Sequence, residues 1–190
     1  MKYAGLNEPP TEIECFSVIR ALFETDEPDV AIVDIGAESI KLYVTHKGLL
    51  MRMHRIRAGG AIVTRELAKM LECTFEEAEV KKFQVQAGDQ SFAEIKRAHD
   101  NSYVRAFREF NQVLREYERK TGVAIPLVYL SGGGALFPGI DKLLQESLGR
   151  DVVLADPFSR VAYPAFMEDT MKELGPSFTV ALGAALREFE

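Results

Sequence analysis

At residues 33–39 the chain reads Val-Asp-Ile-Gly-Ala-Glu-Ser, and this stretch joins two apolar runs rich in β-branched residues. Such runs are typical of buried strands. Between two strands, Asp34 can order Mg²⁺ through its waters, the backbone at Gly36 can approach an anion, and the hydroxyl of Ser39 can contact a phosphate. An ordinary hairpin turn with a solvated aspartate explains the same residues, and this stretch alone does not decide between the two.

A second glycine-rich stretch lies at residues 130–135, where the chain reads Leu-Ser-Gly-Gly-Gly-Ala. It follows a short apolar run and precedes Pro138, which favours the first turn of a helix. Three consecutive glycines cost about 0.5–1 kcal/mol each relative to alanine. Without Cβ atoms, however, they let a ligand lie flat against the backbone beside the amides of a helix N-terminus. We favour a ligand site over a flexible connector, because three glycines exceed the needs of a turn.

The rest of the pattern predicts strands first and then helices that alternate with single strands, an α/β arrangement. Three antiparallel strands joined by tight turns are expected at 30–34, 40–46 and 49–57, and single strands at 127–130 and 151–154. Helices are expected at 11–23, 61–71, from 74, at 91–120 with a candidate break near Asp100, at 138–148, at 165–173 and at 178–189. Thr11 with Glu14 and Thr74 with Glu77 have the spacing of capping boxes.

Composition and charge narrow the class of function. A net charge of −6 over 190 residues argues against nucleic acid or an anionic membrane as a partner of the whole surface. Two isolated cysteines, Cys15 and Cys73, and three scattered histidines suggest neither a zinc motif nor a disulfide framework. The apolar runs are far shorter than the roughly 20 residues of a membrane-spanning helix. We therefore expect a cytoplasmic protein that neither inserts into a membrane nor binds nucleic acid.

Two groups of conspicuous residues receive ordinary interpretations. The histidines are expected to be exposed or hydrogen-bonded rather than ligands: His46, His54 and His99. A basic strip lies near the first turn, and for it a solvated strand face is favoured over an anionic partner: Arg52, Arg55 and Arg57.

Taken together, the two glycine-rich stretches resemble those of the actin-like ATPases, a superfamily that includes sugar kinases and heat-shock proteins. The first stretch matches the second phosphate motif of that superfamily, residues 131–135 with Pro138-Gly139 match its adenosine motif, and residues 180–185 look like its closing helix. The resemblance implies an actin-like, ribonuclease H-like α/β domain: a mixed sheet flanked by helices, plus a small, mostly helical lobe. It also implies ATP and Mg²⁺ as cofactors.

The same resemblance implies the residues of the site. The phosphate contacts are Asp34, which also holds Mg²⁺ through water, Gly36 and Ser39. The adenosine and ribose contacts are Gly132, Gly133, Gly134 and Phe137. Residues 78–82 resemble the A-E-x-x-K segment of bacterial actins, which makes Glu79 and Lys82 candidates for the ribose and the base. A charge pair on a solvated helix face explains these two residues equally well. No catalytic residue is assigned.

Within the superfamily the chain most resembles the type IV pilus assembly protein PilM and the cell-division protein FtsA. The residues that carry this similarity lie at 33–39, 57–60 and 130–135, and residues 4–6 are similar to the start of the second half of that family. The resemblance implies a nucleotide-binding subdomain formed by residues 1–73 and 121–190. Residues 74–120 are then a smaller inserted helical lobe, where the similarity is weakest.

The function implied is the ATP-binding half of a scaffold for type IV pilus assembly, with nucleotide as a conformational clamp. A complete family member begins with its own D-x-G hairpin and a partner-binding first domain, whereas no second D-x-G precedes Asp34. Hydrolysis needs water and γ-phosphate positioned between two walls, so we expect at most weak turnover. The implied partner of the intact protein is a pilus inner-membrane assembly protein, bound through its cytoplasmic tail at the inner face of the membrane. Self-association is left open.

Three alternatives remain. Half of an FtsA-like protein is disfavoured because no membrane-binding tail follows the closing helix. Half of a small-molecule kinase of the superfamily is disfavoured because no catalytic aspartate has a matching context. An interaction module with a decayed pocket is disfavoured because both glycine-rich motifs are intact.

Overall fold

A computed structural model of the chain describes residues 11–23, 29–86 and 88–189. The interpretation of residues 4–6 lies outside these ranges. The strands are β1 (Val30–Ile35), β2 (Ile40–His46), β3 (Leu49–Ile56), β4 (Leu127–Ser131) and β5 (Asp151–Leu154). The helices are α1 (Glu14–Leu22), α2 (Gly60–Met70), α3 (Phe75–Gln84), α4 (Phe92–Thr121), α5 (Ile140–Leu148) and α6 (Glu168–Leu186). Short 3₁₀ turns lie at Gly133–Leu136, Pro157–Arg160, Ala165–Met167 and Arg187–Phe189.

The five strands form one mixed sheet in the order β3-β2-β1-β4-β5. The first three strands are an antiparallel meander, as predicted, and β4 and β5 run parallel to β1. Because β1 and β4 are parallel, both end at the same edge of the sheet, and Asp34 lies directly beside Ser131. This register brings the two glycine-rich stretches together.

The sheet is buried on both faces at its centre, and every residue of β1 is buried. On one face, α4 packs Phe107, Phe110 and Leu114 into the main core with strands β1, β2 and β4. On the other face, α1 packs Val18 and Ile19 against the sheet. The division of the chain at residues 74 and 120 stays a prediction, and the second half of α4 shares its core with the sheet. Within the described ranges, no helix is both long enough and apolar enough to cross a membrane.

One of the two predicted capping boxes forms. Thr74 Oγ1 accepts a hydrogen bond from the amide of Glu77 at 3.2 Å, and the Glu77 carboxylate accepts one from the amide of Thr74 at 2.9 Å. The box at Thr11 is wrong, because α1 begins at Glu14 without a side-chain cap. The carboxylate of Glu12 instead accepts hydrogen bonds from side chains further along α1, which hold the incoming chain against the helix.

Two helix boundaries also differ from the prediction. Helix α4 has no break near Asp100, whose carboxylate binds Lys96 at 2.7 Å one turn earlier and so does not compete for the backbone. The closing helix is one element rather than two, with Pro176 inside it. The carbonyl of Pro176 accepts hydrogen bonds from Thr179 and from the amide of Gly132, so tertiary contacts stabilise the helix through the proline.

Candidate functional site

Asp34 ends β1 as a buried carboxylate, 3% exposed. Lys41, its cross-strand neighbour on β2, places Nζ 3.5 Å from Asp34 Oδ2. Burial raises the pKa of Asp34, and the Lys41 charge partly opposes that shift. The same ammonium also binds the carboxylate of Glu14 in the first turn of α1. Sequence analysis missed Lys41 and Glu14. The signal for Lys41 was its place two residues after Ser39, on the strand that returns past Asp34.

The turn between β1 and β2, residues 36–39, is called the phosphate turn below. It is closed by a hydrogen bond from the amide of Gly36 to the carbonyl of Ser39 at 3.0 Å. The first amides of α2 hold it from outside: Gly60 donates to Gly36 at 3.0 Å, and Ala61 donates to Ala37 at 2.8 Å. Those amides are therefore engaged with the turn, and α2 fixes the turn instead of offering an open helix N-terminus.

Ser39 is buried, and its Oγ accepts a hydrogen bond from Arg55 Nε at 3.1 Å. An accepting hydroxyl keeps its own proton to donate. Ser39 can therefore donate to an anion held by the turn while Arg55 orients it from behind.

Residues 132–134 form the glycine loop, which follows β4. Gly132 has φ +87°, and a Cβ atom there would lie 2.5 Å from the carbonyl oxygen of Ile35 and 2.6 Å from Asp34 Oδ1. A Cβ atom at Gly134 would lie 2.2 Å from Ile35 Cγ2. Close packing against β1 thus requires these two glycines.

Gly133 differs from its two neighbours. It is exposed, and the nearest atom to a Cβ there would be Ser177 Oγ at 3.9 Å. No contact inside the described protein requires a glycine at this position. Its exposed backbone instead leaves room for a flat ligand to approach.

Phe137 follows the glycine loop and is 8% exposed. Its ring stacks on the imidazole of His99, with ring centroids 3.5 Å apart, and lies parallel to the ring of Phe92. The side chain therefore anchors the loop in the core, and its contact with adenosine stays a prediction.

Lys82 is not on a solvated helix face. Its side chain is 8% exposed, and Nζ donates to Thr64 Oγ1 at 2.8 Å, to Glu79 Oε2 at 2.7 Å and to the carbonyl of Gly60 at 3.4 Å. Gly60 connects this cluster to the phosphate turn, because its carbonyl accepts from Lys82 and its amide donates to the carbonyl of Gly36. Thr64, buried one turn into α2, was missed by sequence analysis.

The histidines divide into two groups. His46 pairs with Asp29, and His54 Nε2 lies 2.6 Å from a carboxylate oxygen of Glu109, as expected for satisfied side chains. For His99 the expectation is wrong: it is buried, and neither ring nitrogen has a hydrogen-bond partner among the residues the structure describes. Burial, together with the charges of two nearby lysines, lowers the pKa of His99 to about 3.

The neighbouring Tyr103 hydroxyl is also buried and unpaired within the described part of the chain. A Cβ atom at Gly60 would lie 4.0 Å from this hydroxyl and 3.4 Å from Lys82 Nζ. The inner wall of the candidate site is therefore formed by α2, α3 and α4 together.

A mixed sheet whose parallel strands β1 and β4 end side by side at two glycine-rich turns agrees with the actin-like ATPase fold, and the solved structures that the chain matches have that fold. The chain superposes on a chain of a PilM–PilN type IV pilus biogenesis complex with a TM-score of 0.84, at 26% identity, covering 100% of this chain and 55% of that one. It also superposes on MreB 5 of Spiroplasma citri bound to AMPPNP, with a TM-score of 0.66, at 17% identity, covering 92% and 57%.

Residues 13–189 match the type IV pilus assembly protein PilM family, and the chain belongs to that family. The chain is also similar to the cell division protein FtsA of Streptococcus pneumoniae serotype 2 (strain D39 / NCTC 7466), at 24% identity over 81% of this chain. It spans 38% of the length of that FtsA and 55% of the matched chain of the PilM–PilN complex. The predicted fold class and family resemblance are confirmed, and the individual nucleotide contacts stay predictions.

Proposed function

We propose that this chain is the nucleotide-binding half of a scaffold for type IV pilus assembly. Mg-ATP would bind at the carboxyl ends of the neighbouring strands β1 and β4. The observation that carries this proposal is the contact between the two motifs. A Cβ atom at Gly132 would lie 2.6 Å from Asp34 Oδ1, so sequence segments far apart along the chain form adjoining walls of one site.

The donor set fits magnesium better than a cation that needs a full protein cage. Asp34 is a single buried carboxylate, and the described residues contain no group of three or more metal-ligating side chains. Mg²⁺ keeps several waters and is commonly held by one or two carboxylates plus phosphates. When bound, the ion would neutralise phosphate charge. Asp34 would orient one of its waters, and Lys41 and Ser39 would donate to phosphate oxygens.

The nucleoside would lie across the glycine loop. Gly133 provides bare backbone for the adenine plane, while Glu79 and Lys82 provide a carboxylate and an ammonium for the ribose and base. The solved MreB 5 with the same fold is bound to AMPPNP, which supports nucleotide as the ligand class.

Nucleotide acts here as a clamp with little or no turnover. Phosphoryl chemistry requires groups that position the attacking water opposite the γ-phosphate. The described residues provide phosphate donors on one side, where Lys41 links the ligand site to Glu14 of α1.

The intact protein would bind a pilus inner-membrane assembly protein through its cytoplasmic tail and so be held in the cytoplasm at the inner face of the membrane. The solved relative is a complex of PilM with PilN, which supports this kind of partner. A division role is the alternative that the similarity to FtsA leaves, and the PilM family match favours the pilus.

Calorimetric titration with ATP, with and without Mg²⁺, tests the site. Gly133→Val adds a side chain at an exposed position where a Cβ atom meets no protein atom closer than 3.9 Å, so we expect an intact fold and at least about tenfold weaker ATP binding, equivalent to about 1.4 kcal/mol. Asp34→Ala should remove the magnesium dependence. Asp151→Ala, which removes an exposed acid at the other end of the sheet, is the control and should bind as the wild type does.

Two results would contradict the proposal. One is no ATP binding by the wild-type chain at any accessible concentration. The other is unchanged binding in Gly133→Val when circular dichroism shows the fold to be intact.

A further inference from the structure

Strand β3 is an edge strand, because β2 is its only neighbour among the described strands. Its exposed apolar side chains are Leu49, which is 68% exposed, and Met51 and Met53, which are about half exposed. The register of β3 on β2 shifts by one residue at Met51, so Met53, opposite Tyr43, and Leu49, opposite His46, lie on different faces of the sheet. The unpaired side of β3 leaves backbone amides and carbonyls available to another extended chain.

The face that carries Met53 continues through Arg55 into a basic pocket. Arg55 and Arg57 line a cavity of about 360 Å³ together with Arg65 from α2, over a floor of Ala61 and Ile62. The acid that lines this cavity is Glu38. Three guanidinium groups against one carboxylate leave the pocket with a net positive charge.

The three arginines of the basic strip predicted from the sequence do not share one environment. Arg52 lies outside the pocket and pairs with Glu116 of α4 at 3.3 Å. Arg57 and Arg65 are exposed and have no ion pair among the described residues. A solvated strand face is therefore an incomplete interpretation of this strip, because its far end, together with α2, forms a concave cationic site.

The pocket adjoins the phosphate turn. Arg55 donates to Ser39 Oγ at 3.1 Å, and Glu38 belongs to the turn itself. The amide of Ala61, on the pocket floor, binds the carbonyl of Ala37 at 2.8 Å. Anything that binds in the pocket therefore contacts residues that hold the phosphate turn.

We propose that β3 and this pocket dock an extended acidic segment of a partner protein. Its main chain would pair with the free edge of β3 beyond the register shift at Met51, an apolar side chain would cover Met53, and carboxylates at the next alternate positions would reach the arginines. Residues two apart on a strand are about 6.6–6.8 Å apart on one face, so alternate acids match the spacing of Arg55 and Arg57. Guanidinium groups bind carboxylates with paired, charge-assisted hydrogen bonds.

The exposed Met53 beside the arginines and the free edge favour a peptide over a small oxyanion, which would use the arginines alone. They also favour a peptide over an anionic membrane, because a net charge of −6 repels such a surface and the cationic groups lie in a concave pocket. Docking in this way does not depend on nucleotide binding.

The test is an NMR titration of the ¹⁵N-labelled chain with two synthetic peptides, Leu-Thr-Val-Thr-Asp-Thr-Asp and its reverse, which cover parallel and antiparallel pairing. We expect chemical-shift changes at β3, at the phosphate turn and in the first turn of α2. Peptides with Asn in place of Asp should lose this response.

Matched variants separate specific docking from general attraction. The double variant Arg57→Gln/Arg65→Gln should weaken binding by at least about tenfold, since it removes two charge-assisted contacts. The control, Arg108→Gln/Arg119→Gln, removes the same charge from exposed positions on α4 and should bind as the wild type does.

Four outcomes would overturn the proposal. If neither peptide changes the chemical shifts of β3, the strand does not dock such a segment, and the arginines only protect an edge strand from pairing with other chains. Equal weakening in the two double variants would indicate non-specific charge attraction. Shifts at β3 caused by phosphatidylglycerol vesicles but not by peptides would indicate a membrane surface. Shifts at β3 that depend on protein concentration and are unaffected by peptides would indicate a second copy of the chain.

Discussion

The phosphate turn and the glycine loop end neighbouring strands, yet they are held in different ways. Hydrogen bonds to α2 and the ionic contacts of Asp34, Lys41 and Glu14 hold the turn. One hydrogen bond, from the amide of Gly132 to the carbonyl of Pro176, holds the loop, and steric fit holds it more tightly, because neither Gly132 nor Gly134 has room for a methyl group against β1. Polar contacts can be exchanged for contacts with a ligand, whereas a steric fit cannot. We therefore expect the turn to adjust when a ligand binds and the loop to keep its shape.

The two regions also respond to pH in opposite directions. Burial raises the pKa of Asp34 beside the turn, and it lowers the pKa of His99 beneath the glycine loop to about 3. The folded state thus holds the proton of Asp34 more tightly than the unfolded state does, and binds a proton at His99 less readily. One region loses stability as pH rises and the other as pH falls.

The largest expected effect tests the steric fit of the loop. Gly134→Ala places a Cβ atom 2.2 Å from Ile35 Cγ2, so we expect the free energy of unfolding to fall by about 3 kcal/mol or more in urea denaturation. Gly133→Ala is the control and should change it by less than about 1 kcal/mol. If the two variants have the same urea denaturation midpoint and slope, close packing against β1 does not determine the conformation of the loop.

A smaller effect tests the buried imidazole. His99 has an unfolded pKa near 6.5 and a folded pKa of about 3, so the unfolded state binds the proton first as pH falls. The neutral His99 imidazole makes its full contribution to the free energy of unfolding above the pKa of 6.5 that it has in the unfolded state. At about pH 4 that free energy is lower by about 3 kcal/mol. His99→Phe keeps a ring against Phe137 and should lose less stability between neutral pH and pH 4. Urea denaturation at both pH values measures this, and parallel pH profiles for wild type and variant would rule it out.

The smallest effect tests the carboxylate at the turn. The stability contributed by protonated Asp34 is present below the unfolded pKa of about 3.9 and is lost as pH rises through the raised folded pKa. Asp34→Asn removes that decline, so the variant should be more stable than the wild type at neutral pH, by about 1 kcal/mol or less. A variant that is less stable than the wild type at neutral pH would mean that the ionised carboxylate with Lys41 stabilises the turn.

Much of this site could be predicted because it depends on local sequence and strand register. The meander follows from apolar runs separated by glycine turns, and parallel pairing of β1 with β4 then places both motifs at one edge. Even His99 carried a signal, since it lies between Ile95 and Tyr103 on the four-residue spacing of the buried face of α4. The charged composition around it obscured that spacing.

The remaining features depend on contacts that periodicity does not encode. A Glu-x-x-Lys pair is amphipathic in any helix, and only the packing of α3 on α2 shows that Lys82 is buried beside Thr64. A Gly-Pro pair ordinarily ends a helix, and here the carbonyl of Pro176 finds partners outside α6. Sequence analysis also did not combine Arg65 with the strand arginines, because α2 and β3 meet only in the folded chain.

Helix α6 contacts both the glycine loop and helix α1. The carbonyl of Pro176 binds the amide of Gly132 at 2.8 Å, and seven residues later Gly183 lies so close to α1 that a Cβ there would be 1.8 Å from the carbonyl oxygen of Ser17. These two points are about 10 Å apart along a rigid helix. In mechanical terms α6 is a strut between the glycine loop and α1, whose first turn holds Lys41 through Glu14. A load applied at the loop would therefore reach the phosphate turn by a second route, outside the sheet.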